Sequence, residues 1–204
     1  MSLQEMLILV DSKDQTIGFG EKMMVHRQGL LHRAFSIFVF SNDGRLMLRT
    51  RARDKYHSPT LWTNACCGHP RLGENTLAAA RRRLLEEAGF DCELELKEMK
   101  TISYYSDVQS NLIEHEYNHI FTGILNGEPT PTLQEASEWK WIELPNLYER
   151  LRSNPAEFTA CFSTILSKYG EAEVKNWHRA ELDRRRAVFE SPSITYRTFL
   201  TEKR

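Results

Sequence analysis

A short segment of the sequence, WTNACCGHPR at residues 62–71, brings together side chains that can do chemistry. It contains two adjacent cysteines, Cys66 and Cys67, with His69 two residues further on. Thiolate and imidazole groups bind metals, and a thiol can also act as a nucleophile or exchange a proton. Adjacent cysteines are poorly placed to bridge each other and lack the C-x-x-C spacing of a metal knuckle. Three interpretations therefore stay open: a structural metal site, a nucleophile, or another chemistry.

A helix is predicted a few residues after this segment. Apolar residues recur at three- and four-residue spacing from Leu77 to Ala88, which indicates a helix over residues 74–88. Gly89 follows where a left-handed C-terminal cap is typical. This helix carries arginines and carboxylates at fixed distances from the glycine that precedes it. The residues that form the pattern are Gly68, Glu74, Arg82, Leu84, Glu86, Glu87, Gly89 and Phe90.

The pattern resembles the Nudix signature, G-x5-E-x7-R-E-U-x-E-E-x-G-U, in which U is a bulky apolar residue. The resemblance implies an α+β fold, with a mixed β-sheet sandwiched by helices and carboxylates presented to a divalent cation on a diphosphate. Arg83 departs from the signature, because Nudix hydrolases carry a metal-binding glutamate there. Glu86 and Glu87 could instead form ordinary i,i+4 ion pairs on a solvated helix face. The signature favours a functional role for Glu87, and does so less clearly for Glu86.

Three further motifs, in order along the chain, resemble the type 1 isopentenyl diphosphate isomerases, which are Nudix relatives. They are L-H-x-A-F-S at residues 31–36, W-T-N-x-x-C-G-H-P at residues 62–70, and the pair Glu114 and Glu116. The resemblance covers about residues 4–170. It implies an enzyme of isoprenoid biosynthesis that acts on a small prenyl diphosphate and interconverts isopentenyl and dimethylallyl diphosphate. Such a reaction adds a proton at one carbon and removes one from another, and needs no redox cofactor.

The resemblance implies that Cys67 and Glu116 are the acid/base pair, and that Tyr104 hydrogen-bonds the glutamate. A free thiol titrates near ~8.5, so Cys67 can serve as acid or base depending on its neighbours. Because the reaction is reversible, the two roles exchange with its direction. Cys66 has no role in the family and is expected to pack in the interior.

The resemblance also implies a metal site of three imidazoles and two carboxylates. Residues two apart on a strand face the same side, so the Glu114 and Glu116 carboxylates are expected together. A mixed nitrogen and oxygen site suits Mn, Zn or Mg. The implied ligands are His26, His32, His69, Glu114 and Glu116. The remaining histidines, His57, His115, His119 and His178, are expected to be structural or solvent-exposed.

The diphosphate is expected to be held by cationic side chains and by a second metal ion, Mg²⁺, bridged to Glu87. Guanidinium groups bind phosphate oxygens in a bidentate manner. The family positions correspond to Lys22, Arg51, Lys55 and Arg83, with Arg53 as an alternative to Arg51. Arg83 would thus help to hold an intact diphosphate on a helix that binds a metal in the hydrolases.

One aromatic residue of the family pattern is missing. Its F-T/S-P-W block, whose tryptophan steadies the carbocation, corresponds to residues 158–161, where Cys161 replaces the tryptophan. A cation over an indole face is worth roughly 1–2 kcal/mol when desolvated, so the loss is expected to slow the reaction or change the preferred substrate. We hypothesise that Cys161 enlarges the prenyl pocket. Phe35, Tyr104 and Phe162 are candidates to contact the cation instead.

These side chains must be positioned by strands and helices that the pattern of apolar residues predicts. Strands are expected at residues 5–10, 34–40, 45–51, 101–107, 113–125 and 138–144, with a turn over residues 11–18, a hairpin at residues 42–44 and a polar loop at residues 127–138. Further helices are expected at residues 145–153 and 155–169, and residues 171–190 show helical spacing. Residues 1–204 are expected to form one domain whose last dozen residues are a tail.

Composition narrows the function classes. The 27 Lys and Arg residues balance 28 Asp and Glu residues, which gives no electrostatic footprint for nucleic acid. No segment is predicted to cross a membrane or to act as a signal peptide. Four cysteines without framework spacing predict reduced thiols in a cytoplasmic protein. The alternatives to an isomerase are a Nudix hydrolase of a nucleoside or prenyl diphosphate, and a degenerate Nudix module that only binds.

Overall fold

The computed structural model describes residues 5–51, 60–88, 97–108, 111–125 and 136–190. Within these ranges nine strands form one sheet, and helices cover both of its faces. The strands are β1 (Met6–Val10), β2 (Thr16–Glu21), β3 (His32–Ser41), β4 (Leu46–Arg51), β5 (Trp62–Thr63), β6 (Cys66–Gly68), β7 (Lys97–Val108), β8 (Leu112–Leu125) and β9 (Ala136–Ile142). The helices are α1 (Lys22–Gln28), α2 (Thr76–Ala88), α3 (Leu144–Ser153) and α4 (Ala160–Glu190).

Strand β3 is the centre of the sheet. It runs parallel to β8 over ten residue pairs, from His32 opposite Glu116 to Ser41 opposite Leu125. Strands β1, β4 and β6 pair with it in the antiparallel sense, while β7 extends the sheet beyond β8. The sheet is therefore mixed, and the predicted α+β class is confirmed. A strand covered on both faces is expected to be apolar throughout, which matches the sequence AFSIFVF.

The two faces of the sheet bury separate clusters. On one face, Phe38 and Phe40 pack with Ile120, Phe162 and Trp177 from β8 and α4, in what we call the α4-face cluster. On the other face, Phe35, Ile37 and Val39 pack against α2, in the α2-face cluster. Because side chains alternate along a strand, neighbouring residues of β3 serve opposite clusters.

Helix α4 includes the charged segment for which only helical spacing was predicted. It is interrupted at Gly170, whose φ of 75° is readily reached only without a side chain. Beyond the break, Val174 and Trp177 are buried in the α4-face cluster. The fully buried Glu181 accepts a hydrogen bond of 2.9 Å from Thr122 in β8 and one of 2.9 Å from Arg184. This segment is thus part of the fold.

Several local predictions need correction. Residues 16–18, placed in a turn, begin β2 because they pair with β1. Helix α1 was not predicted: Glu21 caps it by accepting from the amides of Met23 and Met24, and Gly29 ends it at a φ of 60°. The helix expected from residue 155 starts at Ala160, after a 3-10 turn at Pro155–Glu157. Strand β9 takes in residues 136–138 of the predicted loop, and the Gly89 cap lies outside the described residues.

Candidate metal centre and active site

Three histidines from different elements meet at one end of the α4-covered face. His26 comes from α1, His32 begins β3, and His69 follows β6. Their ring centroids lie 4.9 to 5.7 Å apart, and one ring nitrogen from each lies within 4.8 Å of those of the other two. All three were predicted from the sequence, and the structure brings them together.

Backbone carbonyls orient two of these rings. The Nδ1 atoms of His26 and His32 lie 2.7 Å and 2.8 Å from the carbonyl oxygens of Lys22 and Leu30. A carbonyl can only accept, so each Nδ1 carries the proton and each Nε2 keeps its lone pair. The Nε2 atom of His32 is buried and has no hydrogen-bond partner among the described residues.

Burial keeps the imidazoles neutral. It lowers the pKa of His32 to about 4, helped by the charge of His69, and it also lowers the pKa values of His26 and His69. A neutral imidazole is the form that binds a metal. The set of neutral rings, with a buried lone pair at His32, fits a divalent cation.

Two carboxylates of β8 lie on the face of the sheet that holds the three imidazoles. Glu114 and Glu116 lie two residues apart on β8, are both buried, and face the same side of the sheet. The Oε1 atom of Glu116 lies 3.5 Å from Nε2 of His69 and 3.9 Å from Nε2 of His32. The predicted arrangement of two glutamates beside three histidines is therefore present for Glu116, and Glu114 lies on the same face.

The second oxygen of Glu116 has different neighbours. Its Oε2 atom accepts hydrogen bonds of 2.7 Å from Tyr104 and 2.8 Å from Asn118. Burial alone would raise the pKa of Glu116, but its interactions with His69 and His32 and the hydrogen bond from Tyr104 lower it to about 2. Burial raises the pKa of Tyr104, which stays protonated as a donor. Glu116 is thus an ionised carboxylate in a dry environment.

Cys67 lies on the same face as Glu116, on the other side of β3. Strand β6 pairs with β3 so that Cys67 is opposite Ser36, and Ser36 Oγ lies 3.5 Å from the sulfur. The thiol donates to Asn64 Oδ1 at 3.1 Å. A hydrogen bond with Cys161, against the effect of burial, lowers the pKa of Cys67 to about 7. Cys66 points the other way, into the α2-face cluster, so its predicted packing role is confirmed.

Helix α2 holds the predicted signature carboxylates in ion pairs. Glu74 and Arg82 form two parallel bonds of 2.7 Å. Glu87 is only 3% exposed and pairs with Arg83 and with Arg49, which is 4% exposed on β4. The i,i+4 pairing considered for Glu87 is thus observed. The predicted Mg²⁺ contact of Glu87 stays a prediction.

The remaining predicted substrate contacts divide into three groups. Lys22 pairs with Glu5 at 2.9 Å, and the charges of Lys22, His69 and Arg83 all lower the pKa of Glu5, against its burial. These cations therefore lie near one another. Phe35 is fully buried in the α2-face cluster, so the structure does not bring it to the Cys67 side of the sheet. The side chain of Arg51 and the residues Arg53, Lys55 and His57 lie outside the described residues.

Gly68, the signature glycine, lies close to the Phe35 ring of β3 and to α2. A Cβ atom at this position would lie 3.0 Å from the Phe35 ring and 3.5 Å from the Arg83 side chain. The contact with Arg83 would be an ordinary one, whereas the Phe35 ring would have to shift slightly to make room for a side chain.

The other histidines and Cys161 also have defined places. His115 contacts the Gly29 carbonyl at 2.9 Å, His119 pairs with Asp14 at 3.0 Å, and His178 packs against Phe40. None of these three joins the imidazole cluster within the described residues. Cys161 is buried at the start of α4 beside Cys67. The hypothesis that it enlarges a prenyl pocket stays a prediction, which Cys161→Trp would test through chain-length preference.

Sequence reasoning missed four polar residues at the candidate site, three of them around the acid/base pair and one beside Glu87. Ser36 and Asn64 contact Cys67, Asn118 contacts Glu116, and Arg49 contacts Glu87. Asn118 continues the i, i+2 series of Glu114 and Glu116 on β8, so its position on a buried strand was a usable signal. Arg49 gave no comparable signal, since its partner is on a distant helix.

Comparison with known families agrees with this geometry. A family model described as the NUDIX domain matches residues 30–162, so the chain has a NUDIX domain. The crystal structure of DR0079 from Deinococcus radiodurans superimposes with a TM-score of 0.68 over 80% of this chain and 98% of that one. At 17% sequence identity, this likeness concerns the fold alone.

Two curated relatives indicate a family within the NUDIX-domain proteins. The Isopentenyl-diphosphate Delta-isomerase of Serratia proteamaculans is 50% identical over 177 residues, which is 87% of this chain and 98% of that protein. The protein of the same name from Burkholderia multivorans is 47% identical over 178 residues, which is 87% of this chain and 100% of that protein. The chain belongs to the isopentenyl-diphosphate Delta-isomerase family.

Proposed function

We propose that this protein interconverts isopentenyl diphosphate and dimethylallyl diphosphate, with Cys67 and Glu116 as the acid/base pair. One observation carries the proposal: a protonated thiol and an ionised carboxylate lie on the same face of the sheet, on either side of β3. An unactivated alkene is a weak base, so its protonation needs an acid positioned in a site from which water is excluded.

The protonation states of Cys67 and Glu116 suit this reaction. The Cys67 thiol would add its proton to the terminal carbon of the double bond, which leaves a tertiary carbocation. The Glu116 carboxylate would then remove a proton from the carbon on the other side of the cation. The reverse reaction starts from a Cys67 thiolate and a protonated Glu116. A thiol with a pKa of about 7 can exist in both forms near neutral pH.

We propose that the imidazole cluster and the two carboxylates of β8 hold one divalent cation, and this mixed nitrogen and oxygen ligand set suits Mn²⁺, Zn²⁺ or Mg²⁺. When bound, it supplies positive charge beside Glu116 that favours the ionised carboxylate. The residues that would hold it are His26, His32, His69, Glu114 and Glu116. On the protein side, Tyr104 and Asn118 keep the other oxygen of Glu116 fixed.

The diphosphate is proposed to bind beside this cluster, on the side where Lys22 and Arg83 lie. Lys22 pairs with Glu5, and the positive charge of Arg83 also lowers the pKa of Glu5. Phosphate oxygens would bind these two cationic side chains, and would replace Glu5 as the anionic partner of Lys22. Arg51 and Lys55 are proposed as further contacts from the sequence alone. A second Mg²⁺ on the diphosphate, which Glu87 would help to hold, is proposed on the same ground. We also propose a cytoplasmic location, because Cys67 can exchange a proton only as a reduced thiol. We further propose that the chain forms a single domain.

A single assay tests this function. The protein is incubated with isopentenyl diphosphate and Mg²⁺ in deuterated water, and the product is analysed by mass spectrometry. We expect dimethylallyl diphosphate that carries deuterium. Release of phosphate or pyrophosphate would instead identify a hydrolase. Unchanged substrate would identify a module that only binds.

A further inference from the structure

We propose that Asn64 is a positioning residue for Cys67, whose amide oxygen receives the thiol hydrogen and sets the direction of the S–H bond. This inference rests on the proposed role of Cys67 in proton transfer. Its basis is a buried set of hydrogen bonds around the thiol that comes from β3, β5, β6 and the start of α4.

The orientation of the Asn64 amide is determined by its own partners. The side chain is fully buried, and its Nδ2 atom donates to the carbonyl oxygens of Ile37 at 3.0 Å and Cys66 at 2.8 Å. A rotated amide would place Oδ1 against two acceptors and leave both without a donor, which is costly in a buried site. The oxygen therefore faces the Cys67 sulfur, 3.1 Å away. Since Oδ1 can only accept, the hydrogen of this contact belongs to the thiol.

A second hydrogen bond holds the same oxygen in place. The Thr63 hydroxyl donates to Asn64 Oδ1 at 3.0 Å, and the Thr159 hydroxyl donates to Thr63 at 3.0 Å. Thr159 is the residue before α4, and its amide donates to the carbonyl of Trp62 at 3.0 Å. The start of α4 is thus tied through two hydroxyls to the acceptor of the catalytic thiol. Thr63 reaches Cys67 through Asn64, and Thr159 acts through Thr63 and also contacts the Cys161 sulfur at 3.8 Å.

The other neighbours of the sulfur complement Asn64. The Ser36 hydroxyl, 3.5 Å away, and the Cys161 thiol can both donate a hydrogen to Cys67. The thiol form therefore has an acceptor, and the thiolate form has two donors. Asn64 is the neighbour that distinguishes the two forms, because it can pair only with a sulfur that carries a hydrogen. A group that gives and takes a proton reversibly needs hydrogen-bond partners for both its thiol and its thiolate. Asn64 is the partner of the thiol.

The kinetic test separates positioning from binding. We expect Asn64→Ala to lower kcat about tenfold while KM stays within twofold, since one hydrogen bond to the reacting group is lost and no substrate contact changes. Thr63→Val keeps the side-chain shape and removes only the hydroxyl, so we expect a smaller loss of kcat, about threefold. The matched control is Thr122→Val, which deletes a buried hydroxyl bonded to Glu181 from β8, a strand that β3 separates from Cys67. It should leave kcat unchanged at a similar loss of stability.

A spectroscopic readout does not depend on turnover. The S–H stretching band of Cys67, identified by infrared difference against Cys67→Ala, should move to higher frequency in Asn64→Ala because the acceptor is gone. It should not move in Thr122→Val. If the band stays in place in Asn64→Ala, or if Thr63→Val and Thr122→Val have the same kcat, the inference is wrong. A shifted band in a protein that fails to isomerise isopentenyl diphosphate would uphold the contact and refute the proposed function instead. Should Asn64→Ala fail to fold, the comparison of the two valine variants decides.

Discussion

At the residue scale, Glu116 divides its two carboxylate oxygens between two kinds of neighbour. Oε1 faces the imidazoles of His32 and His69, whereas Oε2 accepts from Tyr104 and Asn118. The two donors at Oε2 stabilise the ionised form against the cost of burial. Cys67 has a mixed environment, with one acceptor and two possible donors. Glu116 is thus held in its ionised form, whereas Cys67 has hydrogen-bond partners both as a thiol and as a thiolate.

The roles of these two residues can be tested by removing each reacting atom. We expect Cys67→Ala and Glu116→Gln each to reduce isomerisation by roughly 10²-fold or more, the range of a positioned acid or base. Circular dichroism should show an unchanged fold. Activity is measured by conversion of isopentenyl diphosphate under saturating substrate.

The adjacent cysteine provides the control for this experiment. Cys66→Ala removes a thiol that packs in the α2-face cluster on the opposite side of β6. It should retain most of the activity. Near-normal turnover in Cys67→Ala, or an equal loss in Cys66→Ala, would refute the assignment of the proton carrier.

At the element scale, helix α2 uses its charges in two different ways. The outer pair, Glu74 with Arg82, is partly exposed and bidentate, and ties the loop before the helix to its middle. The inner set, Glu87 with Arg83 and Arg49, is buried and joins the helix to β4. Removing one member of a buried set leaves an unpaired charge, whereas a surface pair contributes little. The two sets therefore differ in their expected effect on stability.

The outer pair predicts a pH-dependent contribution to stability. The hydrogen bond from Arg82 lowers the pKa of Glu74, so its stabilising effect is present above the ordinary carboxyl pKa and is lost as pH falls through the lower folded value. We expect Glu74→Gln to lower the free energy of unfolding by about 1 kcal/mol at neutral pH. The difference from the parent protein should shrink in acid. Urea unfolding at several pH values measures both effects.

The neighbouring carboxylate on the same helix serves as the comparison. Glu86 is more exposed and contacts Arg82 at 3.3 Å and Arg83 at 2.8 Å, and its pKa is also lowered, against its burial, by these arginines. Glu86→Gln should cost less stability than Glu74→Gln, because the bonds are not bidentate. A loss in Glu74→Gln that is the same at acid and neutral pH would contradict the ion-pair account.

At the scale of the whole molecule, the candidate metal centre depends on the complete sheet. Its residues come from α1, from the first residue of β3, from the end of β6 and from β8, and they span positions 26 to 116. The pairing of β3 with both β6 and β8 sets their separation. Helix α4 covers the same face and is tied to β8 through Glu181. Within the described residues no helix is both long enough and apolar enough to span a membrane.

Because the ligands are held only in the folded protein, a bound cation should raise stability. After treatment with a chelator, addition of Mn²⁺ or Zn²⁺ at about 100 times its Kd should raise Tm by roughly 5–10 °C. His69→Ala should abolish most of this shift, whereas His178→Ala, which alters a ring packed against Phe40, should retain it. Thermal unfolding followed by fluorescence gives the values. Equal shifts in both variants would place the cation elsewhere.

Much of the fold followed from local pattern. Alternating and continuous apolar runs located the strands β1, β3, β4, β7 and β8, and the three- and four-residue spacing located α2. Helix α1 and the short strands β5 and β6 were missed. Seven residues are too few for a clear helical period, and strands of two or three residues exist only through the neighbours with which they pair. The candidate metal ligands and the candidate acid/base pair were named in advance from the resemblance to the isomerase family, which its motifs carry.

The sequence by itself determined the family signature and the candidate imidazoles and carboxylates, because these depend on residue type and on position within short motifs, and the proposed pairing of Cys67 with Glu116 comes from the family resemblance. Only the tertiary structure decided which face each side chain serves. The pairing of β6 with β3 sends Cys67 to the α4 side and Cys66 to the α2 side, and alternation along β3 buries Phe35 away from the site. The contacts of Arg49 with Glu87 and of Asn64 with Cys67 likewise depend on packing between elements. Hydrogen bonds between distant segments have no spacing along the chain by which they could be predicted.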